Sequence, residues 1–366
     1  TGAADKLAGH ALFLLRDPAL TDRLYQHATG RDPDPGDRRF YDPADGQLAT
    51  LKNRIRHSGF LGVDGYPSVE VFGQAIADYL LAQLDRYFPA DEIPSAFAQS
   101  NVAHATFRYH RLQNFLPRPE VRQAVTAALA LRADQPHLGP ILLTGPSGQG
   151  KSALMADLAQ NLAAQPGYRV IDHYIGADAH ISLAAWVLRV LQTLHPLISD
   201  LSGVIPDSPQ EQAKSLSTWL AYAATRQQCR YVLLLDALDQ LSDGGKDLSL
   251  LAPEIIGPSA TVIASVADGT PGREAARSFE AIAVPALTAE LRAHLIRDTL
   301  ARFRKGLAPQ LVDTLAQAPQ SGSPLFLTLA LEELRLDARH ATLASTLEDI
   351  LAQPDAERLF LHAFLL

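Results

Sequence analysis

Ile141-Leu142-Leu143-Thr144-Gly145-Pro146-Ser147-Gly148-Gln149-Gly150-Lys151-Ser152 sets a strand-like apolar run directly before G-x-x-x-x-G-K-S, and a helix-forming stretch follows. That order of strand, loop and helix is the setting a phosphate-binding P-loop needs. Its glycines let successive backbone N–H groups curl around an anion, and the next helix aims its positive dipole end at the same point. Lys151 would carry a compact positive charge to the β- and γ-phosphates, and the Ser152 hydroxyl would become a Mg²⁺ ligand. The competing explanation is an accidental glycine turn. At this chain's Gly, Lys and Ser/Thr frequencies, about 0.003 chance matches are expected over the whole length. The chain also has only 6 lysines against 26 arginines, yet the motif position is a lysine. The expected nucleotide-binding residues are therefore Gly145, Pro146, Ser147, Gly148, Gln149, Gly150, Lys151, Ser152 and Ala153.

Turnover or switching needs more than a cradle. Tyr231-Val232-Leu233-Leu234-Leu235-Asp236 is apolar on both faces, which marks an interior strand of a parallel sheet. A carboxylate at the C-terminal end of such a strand lies in the crevice where these folds bind ligands, so Asp236 is the expected holder of Mg²⁺, through water. Asp239, three residues on, can face the same crevice and orient or deprotonate an attacking water, making it and Lys151 the expected catalytic pair. The plainer alternative makes both carboxylates solvated turn residues. Ser265 either touches the γ-phosphate or is a buried small residue satisfying the backbone. Asp172-His173 has the composition of a general base, but without a Ser or Cys nucleophile nearby the structural reading is preferred.

Around this centre, strands are expected at 168–175, 261–266 and 281–284. Helices are expected at 119–134, 152–165, 182–194 and 210–227. Their alternation implies α/β architecture, a doubly wound parallel sheet of about five strands. After Pro285 the pattern turns to helices only: Thr288 to Phe303, one from Pro309, Pro324 to Leu336 behind a Ser323 cap, and one carrying the capping-box sequence Ser345-Thr346-Leu347-Glu348. They form a small helical bundle. Upstream, Ala11 to Asp17 reads as a buried strand, and 30–46 as an exposed loop rich in Asp, Pro, Gly and Arg. Helices follow at Gln47 to His57 and Ser68 to Tyr87, the second with an apolar stripe of Val69, Phe72, Ile76, Leu80 and Leu84. Phe88 to Gln113 reads as an irregular connection.

The chain's 366 residues carry a formal charge of −8, with 47% apolar and 20% charged residues. The charge argues against a broad nucleic-acid surface. The single cysteine, Cys229, excludes an intrachain disulfide and a Cys-based metal site. No stretch approaches the roughly 18 apolar residues of a membrane span, and no signal peptide is visible, so the cytoplasm is the expected location. Position 1 is Thr, as expected for a piece of a longer chain.

Together these motifs resemble the STAND class of signalling NTPases, specifically the NACHT group and its nephrocystin-3 and telomerase-associated-protein-1-like branch. The resemblance rests on LLTGPSGQGKSALMADLA (142–159), HYIGAD (173–178), YVLLLDALDQL (231–241), LIRDTLARFRKGLAPQL (295–311) and GSPLFLTLALEELR (322–335). It implies that Gly322-Ser323-Pro324 is the family's G-x-P motif, with Pro324 near the nucleotide. It also implies that Phe115-Leu116-Pro117-Arg118-Pro119-Glu120 is the h-h-G-R-E signature, with Arg118 on the nucleotide and a proline in place of the glycine. ALFLLRDPAL, LATLKNRIRHSG and FGQAIADYLLAQLDRYFP resemble the C-terminal part of an α/β module that precedes such NTPases.

The layout this implies is a partial module over 1–95, a linker at 96–118, the NTPase at 119–287, a helical domain at 288–354 and the start of a winged-helix domain at 355–366. ATP or ADP with Mg²⁺, self-association on activation, and a role in signalling or defence are further implications. Two departures bear on them. Where NACHT proteins often have Thr-Ser-Arg, this chain has Ala264-Ser265-Val266, which points to slow hydrolysis. The family's winged-helix histidine also falls outside the sequence. Three readings stay open: a regulatory ATPase, a scaffold holding nucleotide as a structural cofactor, and a small-molecule kinase, for which no acceptor-site signature is visible.

Overall fold

The computed structural model describes residues 11–41, 46–89, 94–113, 115–198, 204–336 and 343–365. The chain divides into two compact units, Thr1–Pro94 and Ser95–Leu366. Among the described residues, no helix is long and apolar enough to cross a membrane.

The first unit contains β1 (Leu12–Arg16), α1 (Pro18–Thr29), α2 (Gln47–Arg56), β2 (Leu61–Tyr66) and α3 (Val69–Tyr87). Asp17 starts α1 by accepting from the Ala19 N–H at 2.8 Å, with Pro18 in the first turn. β1 and β2 pair in parallel. Sequence reading missed β2, because Gly62, Asp64 and Gly65 break the strand pattern. Gly62 is required there: a Cβ would lie 2.9 Å from the Phe13 carbonyl oxygen across the ladder. β1 is half-buried and not the buried strand expected, and the α3 stripe forms with Val69, Leu80 and Leu84 more than half exposed.

The second unit opens with α4 (Ala96–Leu112), capped by Ser95. This helix occupies most of the stretch from Phe88 to Gln113 expected as an irregular connection, and most of the 96–118 linker. The order is then α5 (Pro119–Asp134), β3 (Ile141–Gly145), α6 (Lys151–Ala163), β4 (Tyr168–Tyr174), α7 (Leu183–Ile198), α8 (Pro209–Gln227), β5 (Arg230–Asp236), α9 (Pro253–Ile256), β6 (Ala260–Ala267), α10 (Pro271–Ala275) and β7 (Glu280–Ala283). The five strands are parallel, in the order β4-β5-β6-β3-β7.

Alternation along the strands builds a core on each face. Leu142, Leu233, Leu235, Val262 and Ala264 pack with Trp186, Val190 and Leu191 of α7 and Leu216 and Leu220 of α8. Ile141, Leu143, Val232, Leu234 and Ile263 pack with Val125 and Leu129 of α5 and Leu154, Leu158 and Leu162 of α6. From central β3 the chain crosses to the edge at β4, returns through β5 and β6, and adds β7 on the other side. The reversal leaves a crevice at the C-terminal ends of β3, β5 and β6, where Gly145 pairs with Ala267.

The bundle follows: α11 (Ala289–Arg302), α12 (Pro309–Gln317), α13 (Pro324–Leu336), α14 (Leu343–Leu351) and α15 (Ala356–Leu365). Ile296, Leu315, Phe326, Leu327, Ile350 and Leu359 are in its core, so α15 packs with the bundle. Thr288 caps α11 as expected. Ser345 lies inside α14 and not before it, because Leu343 and Ala344 are already helical, which removes the capping box.

Candidate functional site

The loop after β3 has the backbone that its glycines allow. Gly148 (φ +77°) and Gly150 (φ +90°) are left-handed, and Gly150 leads directly into α6. Gly148 is also crowded, while Gly150 has room for ordinary contact. A Cβ on Gly148 would lie 2.9 Å from Leu325 Cβ and 3.1 Å from Ser323 Oγ, and one on Gly150 would lie 3.6 Å from Pro324 Cγ. The Gly148 carbonyl accepts from the Leu325 N–H at 3.2 Å and from the Ser323 hydroxyl at 3.3 Å. Ser323 Oγ also accepts from the Phe326 N–H at 3.4 Å, so the residue that caps α13 fastens the bundle to the loop. Pro146 and Ser147 are exposed at the loop tip, and Gln149 is buried beneath it.

Lys151 is buried, and its ammonium donates to the Gly145 and Pro146 carbonyls at 2.7 and 2.8 Å. Burial lowers its pKa, while the carboxylates of Asp239, Asp236 and Asp268 raise it. Asp268, directly after β6, is a member of this acidic group that sequence reading did not identify. Its N–H donates to the Gly145 carbonyl at 3.2 Å.

Asp236 ends β5 with 1% exposure. Its Oδ1 accepts from Ser265 Oγ, which in turn accepts from the Ala237 N–H at 2.9 Å. Ala237 is left-handed (φ +65°), a conformation that costs a non-glycine residue about 1–2 kcal/mol. Ser265 thus holds both the carboxylate and the strained turn behind it. Burial pushes Asp236 above the ordinary carboxylate range, against the Ser265 and Ser152 hydroxyls and the charges of Arg111 and Lys151. Its second oxygen, Oδ2, has no hydrogen-bond partner among the described residues. A buried, unpartnered carboxylate oxygen beside the Ser152 hydroxyl is the hard oxygen pair that suits Mg²⁺. Asp239 is half-buried, and its Oδ1 accepts from the Ala267 N–H at 2.9 Å, tying the turn after β5 to the end of β6.

Arg118 is buried and donates to the Pro285 carbonyl at 2.6 Å and to the Gln149 carbonyl at 3.5 Å. It lines a small recess of about 50 Å³ with Phe115, Leu116, Gly150, Ala153, Leu287, Leu295 and Pro324. The expected residues Arg118, Ala153 and Pro324 therefore meet in one apolar recess beside the loop. Asp172 and His173 are engaged elsewhere: Asp172 pairs with Arg108, and the buried His173 ring lies tilted with its centroid 4.4 Å from that of His104.

Residues 139–302 match the model of the NACHT domain. Telomerase protein component 1 of Rattus norvegicus is 27% identical over 292 residues, which are 73% of this chain and 11% of that protein. The protein of that name in Mus musculus is 30% identical over 222 residues, 55% of this chain and 8% of that one. The chain thus spans about a tenth of the length of these curated relatives. Among solved structures, C. elegans PCH-2 aligns with a TM-score of 0.42 and 14% identity, over 70% of this chain and 72% of that one. Residues 139–302 are a NACHT domain, a nucleotide-binding module with the P-loop NTPase fold.

Proposed function

We propose that this NACHT-domain chain is a slow, regulatory ATPase, in which ATP or ADP at the loop sets how the helical bundle engages the α/β domain. One observation carries the reading. The unpartnered Asp236 oxygen, Ser152 and Lys151 gather at the mouth of a glycine loop whose Gly148 carbonyl holds the first turn of α13.

Backbone N–H groups at the start of α6 would bind the phosphates, and the Lys151 ammonium would leave its two carbonyls to join them. Mg²⁺ held by Ser152 and Asp236 would neutralise phosphate charge. The base would lie toward the apolar recess beside Arg118, Ala153 and Pro324, which would have to widen to take it. Asp239 has a second carboxylate oxygen beyond the one bonded to Ala267, and it would orient the attacking water and take its proton. Movement of the loop would be felt at Pro285 through Arg118 and at α13 through Ser323 and Leu325. Self-association on activation, a signalling or defence role and a cytoplasmic setting follow from the same family reading.

A second reading, a scaffold retaining nucleotide without turnover, is favoured by one arrangement. Asp239 is partly committed to Ala267, Ser265 is fully committed to Asp236 and Ala237, and no arginine ends β6. Phosphate release from the full chain separates the two. The ATPase reading expects slow, Mg²⁺-dependent turnover that Asp239→Asn lowers about 100-fold while binding is retained. Undiminished turnover in that variant would remove Asp239 from the chemistry, and bound nucleotide with no release at all would leave the scaffold.

A further inference from the structure

The loop site has an imbalance of charge that α4 can correct. Lys151 faces Asp236, Asp239 and Asp268, and β6 ends in Ala264-Ser265-Val266-Ala267, with no arginine. Other nearby arginines are committed. Arg118 is on two carbonyls, Arg122 is paired with Asp157, Arg108 with Asp172, and Arg189 is bonded to Ser100 and Asn101. Arg111 differs. Its side chain is exposed, and among the described residues its guanidinium has no ion-pair or hydrogen-bond partner, only the face of Phe107 at 4.6 Å.

The position of Arg111 follows from how α4 is anchored. Ser100 donates to Asp178, and His104 Nδ1 accepts from the Tyr174 N–H at 3.1 Å. The Phe107 ring stacks on Tyr174 at 4.8 Å, and Arg108 pairs with Asp172. These residues are spaced i, i+4, i+7 and i+8 along one face of the helix, and Arg111 continues it at i+11. Tyr174 is the register partner of Asp236 at the strand ends. Just past the end of α4, Phe115 and Leu116 line the recess with Gly150 and Ala153. Arg111 thus sits on the stretch of chain that leads from Phe107, stacked on Tyr174 at the strand ends, to Phe115 beside the glycine loop.

We propose that Arg111 contacts the terminal phosphate of the bound nucleoside triphosphate and makes the site discriminate triphosphate from diphosphate. A guanidinium is suited to this, since its planar fork can bond two phosphate oxygens at once and its charge does not titrate. The inference rests on the nucleotide reading above and adds a residue outside the NACHT-matched segment. An exposed arginine on a helix held by four other side chains can be replaced without disturbing the fold.

The test is calorimetric titration of the full chain with Mg²⁺ and either a non-hydrolysable ATP analogue or ADP, for wild type, Arg111→Ala and Arg111→Lys. Loss of a charge-assisted bond predicts analogue affinity falling about 10- to 100-fold in Arg111→Ala. ADP affinity should stay within about 2-fold, and Arg111→Lys should recover part of the loss. Equal loss for both nucleotides, or none for either, overturns the assignment of Arg111 while leaving the nucleotide site standing. A wild-type chain that binds neither overturns the nucleotide reading itself, and this inference with it.

Discussion

Ser265→Ala is the substitution whose cost the structure defines best. One hydroxyl donates to the Asp236 carboxylate and accepts from the Ala237 N–H, and all three groups are buried. Removing it deletes a bond to an ionisable group, worth about 1.5–3 kcal/mol, and leaves a buried N–H unpaired at about 1–3 kcal/mol. Some of that is recovered as the left-handed Ala237 turn relaxes, so a net loss of about 1–5 kcal/mol is expected. Urea unfolding in EDTA, without nucleotide, measures this on the protein alone. Asp236→Asn provides the control through a double-mutant cycle. With the charge already gone, Ser265→Ala should cost about 1–2 kcal/mol less than in wild type. A cost below about 0.5 kcal/mol, or an identical cost in both backgrounds, would refute the claim that Ser265 exists to hold Asp236.

Two further outcomes are expected. Gly148→Ala forces a side chain into a left-handed position (φ +77°) with its Cβ 2.9 Å from Leu325 Cβ, for a total of about 2–5 kcal/mol. Hydrogen exchange should then quicken at the Leu325 N–H, and unchanged protection there would contradict the docking of α13 on the loop. Stability should also fall with acid. Burial and the Arg189 charge hold His104 down to about 4, while burial, His104 and Arg189 hold His173 down to about 3. The unfolded chain protonates both near 6.5, so the stabilisation is complete above that pH and is lost as pH falls towards 4, by about 3 kcal/mol for His104 alone. Urea midpoints between pH 7 and 4.5 should slope accordingly and flatten in His173→Gln; a level wild-type profile would contradict the burial of the pair.

What was legible in the sequence was local. The P-loop is eight consecutive residues whose backbone follows from its own glycines, and Asp236 announces itself by ending an apolar strand. α4 was missed because its inward face mixes Phe107 and Leu112 with polar residues: Ser100, Asn101, His104 and Arg108 are satisfied by Asp178, Arg189, Tyr174 and Asp172, more than 60 positions away. An apolar stripe was the signal sought, and a helix docked through hydrogen bonds and ion pairs does not carry one. β2 was hidden for the opposite reason, since the glycine that breaks its pattern is what allows it to approach Phe13. Of the two roles open for Ser265, the buried residue satisfying the backbone is the one the Ala237 bond shows, whereas its bond to Asp236 depends on the register of β5 beside β6 and was not visible.

The central claim is that the loop at 145–153 grips a polyphosphate through Lys151, with Mg²⁺ held by Ser152 and Asp236. Titrating ATP into the full chain with and without Mg²⁺, for wild type and Lys151→Ala, tests it most directly. Saturable, Mg²⁺-enhanced binding to wild type and none to Lys151→Ala is the predicted result. Equal affinity in the two proteins, or a wild type that takes up no ATP, would contradict it.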